Sequence, residues 1–443
     1  MVIKQKYLIE FQIYYLLIVE SLIDLLHFPG IIRYFLDINC IFLILLFFPK
    51  VKNLANDKSS KKLSAYIFFY MVATVAFSII RRTPIGQVAW AARNNYLYIF
   101  FFFICAYSLN LDDVKRIMKN TVRLQAYNIL CAIYEYFVIR QTGDNLGGMF
   151  GTAFGCNGYI NVYLCIITAY TIIQYVNKKA SIAYLAYIIL SSTVLSVASE
   201  LKFYFIELAI IIIVSSVLTN INPKNGMMVI VGVMALFVGF QILTALDPNS
   251  AEIISDFDKI DEYSKYTLEN MRIARATPFS QINKYFFDGN VFYNLFGYGF
   301  GACESSETFA WANSSFASTY GQLGYRNLST AMLFIETGYV GIVSFVAILV
   351  GIFVNAQRLK QKNIQNRSFY AFSQVVSVIM IANVWYNSSI RREIAYLSFF
   401  CLSTYIICEA DKKKREKEEL QENKSTEKKS YFKNKNKQSR SII

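Results

Sequence analysis

Residues 294–301 read Asn-Leu-Phe-Gly-Tyr-Gly-Phe-Gly, with glycines at 297, 299 and 301. Glycines at alternate positions permit positive φ and close backbone approach, which serves an ordinary turn as well as a ligand. No Gly-Lys-Ser/Thr follows, so Gly297, Gly299 and Gly301 do not form a Walker loop. The cations able to hold a phosphate are Arg81, Arg82, Arg93, Arg140, Lys202, Arg272, Arg275, Arg326, Arg391 and Arg392. Arginine's planar fork matches phosphate oxygens, and fixed cations stabilise charge building on a leaving group. Carboxylates that could move a proton are Glu200, Asp288, Glu304, Glu307 and Glu336. Trp311 heads the aromatics able to stack on an apolar ligand face. The single histidine, His27, excludes a His-rich metal site. Eight cysteines without a Cys-x-x-Cys read as small buried hydrophobes, and only Cys156 and Cys303 fall where a disulfide is conceivable.

The elements that must position these groups are membrane helices. Of the 443 residues, 55% are hydrophobic and only 17% charged, against roughly a quarter charged in soluble domains. Mean hydropathy is +0.37. Apolar windows predict an all-α polytopic membrane protein of about twelve transmembrane helices. They lie near 7–26, 31–49, 63–80, 88–107, 122–139, 156–176, 181–199, 202–219, 227–246, 328–354, 369–388 and 392–409. The organisation expected is helices one to nine in 1–246, an extracytoplasmic loop in 247–327, helices ten to twelve in 328–409, and a basic tail in 410–443. The tail is low in complexity and is expected to be disordered against anionic lipid heads. The apolar N-terminus lacks a small-residue cleavage site and reads as a retained first helix.

Alternate loops differ in charge. Lys4, Lys6, the lysines of 50–62, the cations of 115–123, Lys178, Lys179, Lys224, those of 357–367 and the tail share one side. Arg33, Arg81, Arg82, Arg140, Lys202, Arg391 and Arg392 lie on the other. The positive-inside rule then puts both termini in the cytoplasm and the long loop outside. The outer cations have a bland reading, since terminal Arg and Lys snorkel to lipid heads. Arg93, inside a span, needs a function or an ion pair, and Glu336 reads either as a base or as a partner to Arg93 or Arg326.

Asn294–Gly301, a polar loop, Arg326-Asn327-Leu328 and Ile335-Glu-Thr-Gly-Tyr-Val-Gly341 together resemble the O-antigen polymerase and ligase family (Wzy-type). Gly148–Asn157 and Ala198-Ser-Glu-Leu-Lys202 resemble its Gly/Asn-rich segment and its basic element before a later span. The resemblance covers roughly 148–354 and implies glycosyl transfer outside a bacterial plasma membrane. An oligosaccharide passes from undecaprenyl diphosphate to a sugar hydroxyl (polymerase) or to a lipid A core (ligase). It implies no cofactor, no metal and no nucleic acid, with membrane lipids, a flippase and a chain-length regulator as partners. Family ligases carry a histidine where this chain has Arg326, which favours the polymerase. By resemblance, Lys202 matches the family's basic residue before a later span, Arg272 or Arg275 the arginine of its loop, and Arg326 the histidine position. With the residues read above, catalysis is expected of Arg272, Arg275, Arg326 and Glu336, and binding of the lipid-linked substrate of Arg93, Lys202, Gly297, Gly299, Gly301 and Trp311. A flippase or another twelve-helix transporter is the rival reading.

Overall fold

A computed structural model describes residues 4–48, 61–153, 155–219, 273–275, 277–363 and 366–440, and parts of 226–244. Among them the chain is helical, with no strand. The long helices are α1 (Gln5–Asp24), α2 (Phe35–Phe47), α3 (Lys61–Ile80), α4 (Ile85–Ser108), α5 (Leu111–Arg123), α6 (Gln125–Tyr134), α7 (Cys156–Val176), α8 (Ile182–Ala198), α9 (Lys202–Leu218), α10 (Ser329–Lys362), α11 (Arg367–Tyr386) and α12 (Ala395–Arg440). The expected window 227–246 falls largely outside the described residues.

Among the described residues, five helical segments are long and apolar enough to cross a membrane: Gly30–Phe47, Lys61–Ile80, Cys156–Val176, Ser329–Lys362 and Arg367–Tyr386. Their packing explains their composition. α7 is apolar all round because it is buried among α8, α9 and α11. α2 and α3 instead present Ile38, Phe42, Leu45, Phe68, Phe69 and Ile80 outward, an apolar surface that only lipid or a partner covers at low cost. α5 differs from both. Asn110 and Asp113 cap it reciprocally, Leu111, Val114, Ile117 and Met118 face inward, and Lys115, Arg116 and Lys119 face out.

The connections sort to two ends. Tyr34 donates to Thr308 Oγ1 at 2.9 Å, the Thr152 amide donates to Asp24, and the Gln87 side chain donates to Asn313 O. Residues near 24–34, 81–87, 140–155, 277–328 and 387–394 therefore share one end, here the loop end. At the other, Lys360 donates to Leu218 O and Lys412 to Lys362 O.

Two further features have clear causes. The last helix runs on through the tail to Arg440. Helix formers without Gly or Pro fill it, and i,i+4 pairs Glu409–Lys413, Asp411–Arg415, Lys412–Glu416 and Lys414–Glu418 brace its start. The second is in α10, which is interrupted at Gly338 (φ 60°, ψ −164°). The break releases the Ile335 and Glu336 carbonyls from helical bonding, and they accept from the amides of Tyr298 (2.8 Å) and Gly299 (3.0 Å).

Candidate functional site

The exchange at the α10 break positions the loop-end site. Residues 294–301 cross the α10 backbone so closely that a Cβ on Gly297 would lie 2.5 Å from the Glu336 carbonyl carbon and the Thr337 nitrogen. One on Gly301 would lie 2.7 Å from Gln87 O. All three glycines adopt positive φ. Their amides are occupied: Gly297 donates to Tyr293 O, Gly299 to Glu336 O, and Gly301 to Glu336 Oε1 at 3.1 Å. Gly297, Gly299 and Gly301 thus build the crossing and hold Glu336, with no amide turned toward an open cleft.

Glu336 is fully buried just before the break, and its second oxygen accepts from Arg391 Nη1 at 3.1 Å. Arg391, 4% exposed in the 3-10 turn Ser389–Arg391, also pairs with Glu304. Burial opposes the Arg391 charge, yet the Glu336 and Glu304 carboxylates outweigh it and raise its pKa above the ordinary guanidinium value. Asn94 extends the network, donating to Glu304 at 3.1 Å and accepting from Arg93 at 2.9 Å. Arg93 pairs with Asp37 (2.8 Å) and Glu393 (2.7 Å), and Tyr159 donates to Glu393. Glu393 thus accepts from both Arg93 and Tyr159. Two guanidiniums face four carboxylates, so the network has capacity to take up a proton or an added cation.

Two exposed features flank this network. Arg33 and Arg392 line a cleft of about 80 Å3 with Glu20, Phe150, Gly155 and Tyr159. Arg33 is held by both oxygens of Glu20 at 2.6 Å, while Arg392 is exposed. On the adjoining rim, Trp90, Phe309 and Trp311 pack with centroids 5.4–5.8 Å apart, and Tyr34 joins Phe309. Trp90 lies 5.2 Å from the Arg93 guanidinium and donates to Ser305 O, whose side chain accepts from Arg326. Trp311 remains 54% exposed.

The expected site residues divide accordingly. Arg93 and Glu336 enter the buried network, Arg326 and Trp311 sit on its exposed rim, and Lys202 opens α9. Arg275 is exposed and stacks 4.7 Å over Tyr386, while Arg272 lies outside the described residues. Glu336 pairs with Arg391, where the sequence suggested Arg93 or Arg326; Arg391 is buried and does not snorkel to lipid. Asp37, Asn94 and Tyr159 carry no mark in the sequence, whereas the run Arg391-Arg392-Glu393 at the start of the last apolar window marks Glu393. All eight cysteines are free and buried, Cys156 and Cys303 among them, and the described residues contain no cluster suited to a metal. Comparison with known protein families and with curated proteins finds no match to this chain.

Proposed function

We propose that this chain is a membrane glycosyltransferase that polymerises undecaprenyl-diphosphate-linked oligosaccharide repeat units at the outer face of a bacterial plasma membrane. The reading takes the loop end as outside, with about twelve spans and both termini in the cytoplasm, in keeping with the charge asymmetry. The observation that carries it is the meeting at the loop end of exposed arginines, an exposed aromatic rim and a buried network with acid in excess. Arg392, Arg326, Arg275 and Arg272 grip the diphosphate. Trp311 and its neighbours stack on sugar faces. The carboxylates of the network accept the proton of the attacking hydroxyl. No residue in this scheme needs a cofactor.

A transporter is the second reading, favoured by one observation: α10 is broken beside a buried charge, a device also found at transport sites. Gene deletion with gel analysis of surface polysaccharide separates the two. Single repeat units replacing long chains support polymerisation. Repeat units accumulating on the cytoplasmic face would sink it in favour of flipping.

A further inference from the structure

At the end opposite the loops, a cavity of about 440 Å3 opens between the ends of α7, α9, α10 and α11. This is within the range of small-molecule sites, roughly 300–1,000 Å3. Lys178, Lys360 and Arg367 line it, with Asn177, Thr219, Gln357, Gln361 and Ser368, and no carboxylate is among the described lining residues. Lys360 is only 8% exposed although it is a lysine, and its Nζ donates to Leu218 O at 3.1 Å. That contact offsets the negative end of α9, which would otherwise repel an anion.

Two features aim at a ligand. The 20-residue α11 begins here at Arg367, and its N-cap residue Asn366 makes no side-chain cap, so the positive end of the helix faces the cavity. Ser368, in its first turn, is 3% exposed, and its Oγ has no hydrogen-bond partner. A buried hydroxyl without a partner is costly, and a bound acceptor resolves it.

We propose that this cavity binds a phosphate group, with the Ser368 hydroxyl, the start of α11 and Lys178, Lys360 and Arg367 as its donors. The phosphate belongs either to an anionic lipid headgroup, as basic pockets between membrane helices can hold, or to a soluble phosphate ester. The site is independent of the loop-end chemistry and lies at the other end of the bundle.

The test uses purified full-length protein in phosphatidylcholine nanodiscs, with binding followed by native mass spectrometry and thermal stabilisation. The probes are phosphatidylglycerol in the lipid phase and inorganic phosphate in solution. Ser368→Ala and Lys178→Ala, which change a small and an exposed side chain, should each weaken binding roughly tenfold, the loss expected of one charge-assisted contact. Lys360→Met should weaken it further. Retention of phosphatidylglycerol without a response to phosphate assigns a lipid headgroup, and saturable stabilisation by phosphate assigns a soluble ester. Binding of neither probe, or binding unchanged in Ser368→Ala and Lys178→Ala, overturns the proposal.

Discussion

Arg391 and Glu336 meet at 3.1 Å across 55 positions of sequence, both buried, and the contact ties the start of the last long helix to the break in α10. Removing the guanidinium strands two buried carboxylates, whereas removing Glu336 leaves Arg391 its second partner, Glu304. Arg391→Ala should therefore cost about 3–5 kcal/mol, and Glu336→Gln distinctly less. Thermal unfolding in detergent measures both. The triple change Arg391→Met, Glu304→Gln, Glu336→Gln should recover much of the loss, and equal damage from the triple and single variants would contradict the pairing.

The backbone crossing makes a different kind of prediction. Gly297→Ala combines positive φ with a contact of 2.5 Å to backbone atoms that cannot move aside. Gly155→Ala shares the positive φ but meets nothing within 4 Å. The first should abolish accumulation of folded protein, and the second should cost about 1–3 kcal/mol of backbone strain. Comparable yields of the two in a fluorescence size-exclusion assay would refute the close crossing.

Sidedness is accessible through thiol chemistry. The native cysteines are all buried, so an impermeant maleimide should react little with the wild type. Arg326→Cys is expected to label in intact cells, and Lys178→Cys only after the membrane is opened, because both positions are exposed at opposite ends. The reverse pattern would invert the topology and remove the basis for an outer active site.

For the rim, Trp311→Ala and Arg392→Ala should shorten or abolish polymer at unchanged membrane levels, since each removes an exposed side chain outside the buried network. Wild-type chain lengths in both variants would exclude this rim as the acceptor and donor site.

Helix positions were legible because apolar runs such as Ile41–Phe48 are local. The windows at 156–176 and 202–219 lie within a residue of α7 and α9. Partners were not legible. Arg93 in a span called for a counter-ion, but Asp37 and Glu393 lie 56 and 300 positions away, and packing brings them together. The glycines of 294–301 announced a close approach without saying to what. The answer, a backbone freed by Gly338, depends on a break inside an apolar run that periodicity alone does not mark. In the tail, opposite charges spaced at i,i+4 accompany the helix.

The separation in sequence of Glu304, Glu336 and Arg391 also fixes an order of assembly. A chain made from its N-terminus presents both acids before the arginine exists, Glu304 by 87 positions and Glu336 by 55. Until Arg391 is synthesised and delivered between them, neither acid can be shut away from water as an ion. The ion pairs of the loop-end core therefore form only after α11 has been made.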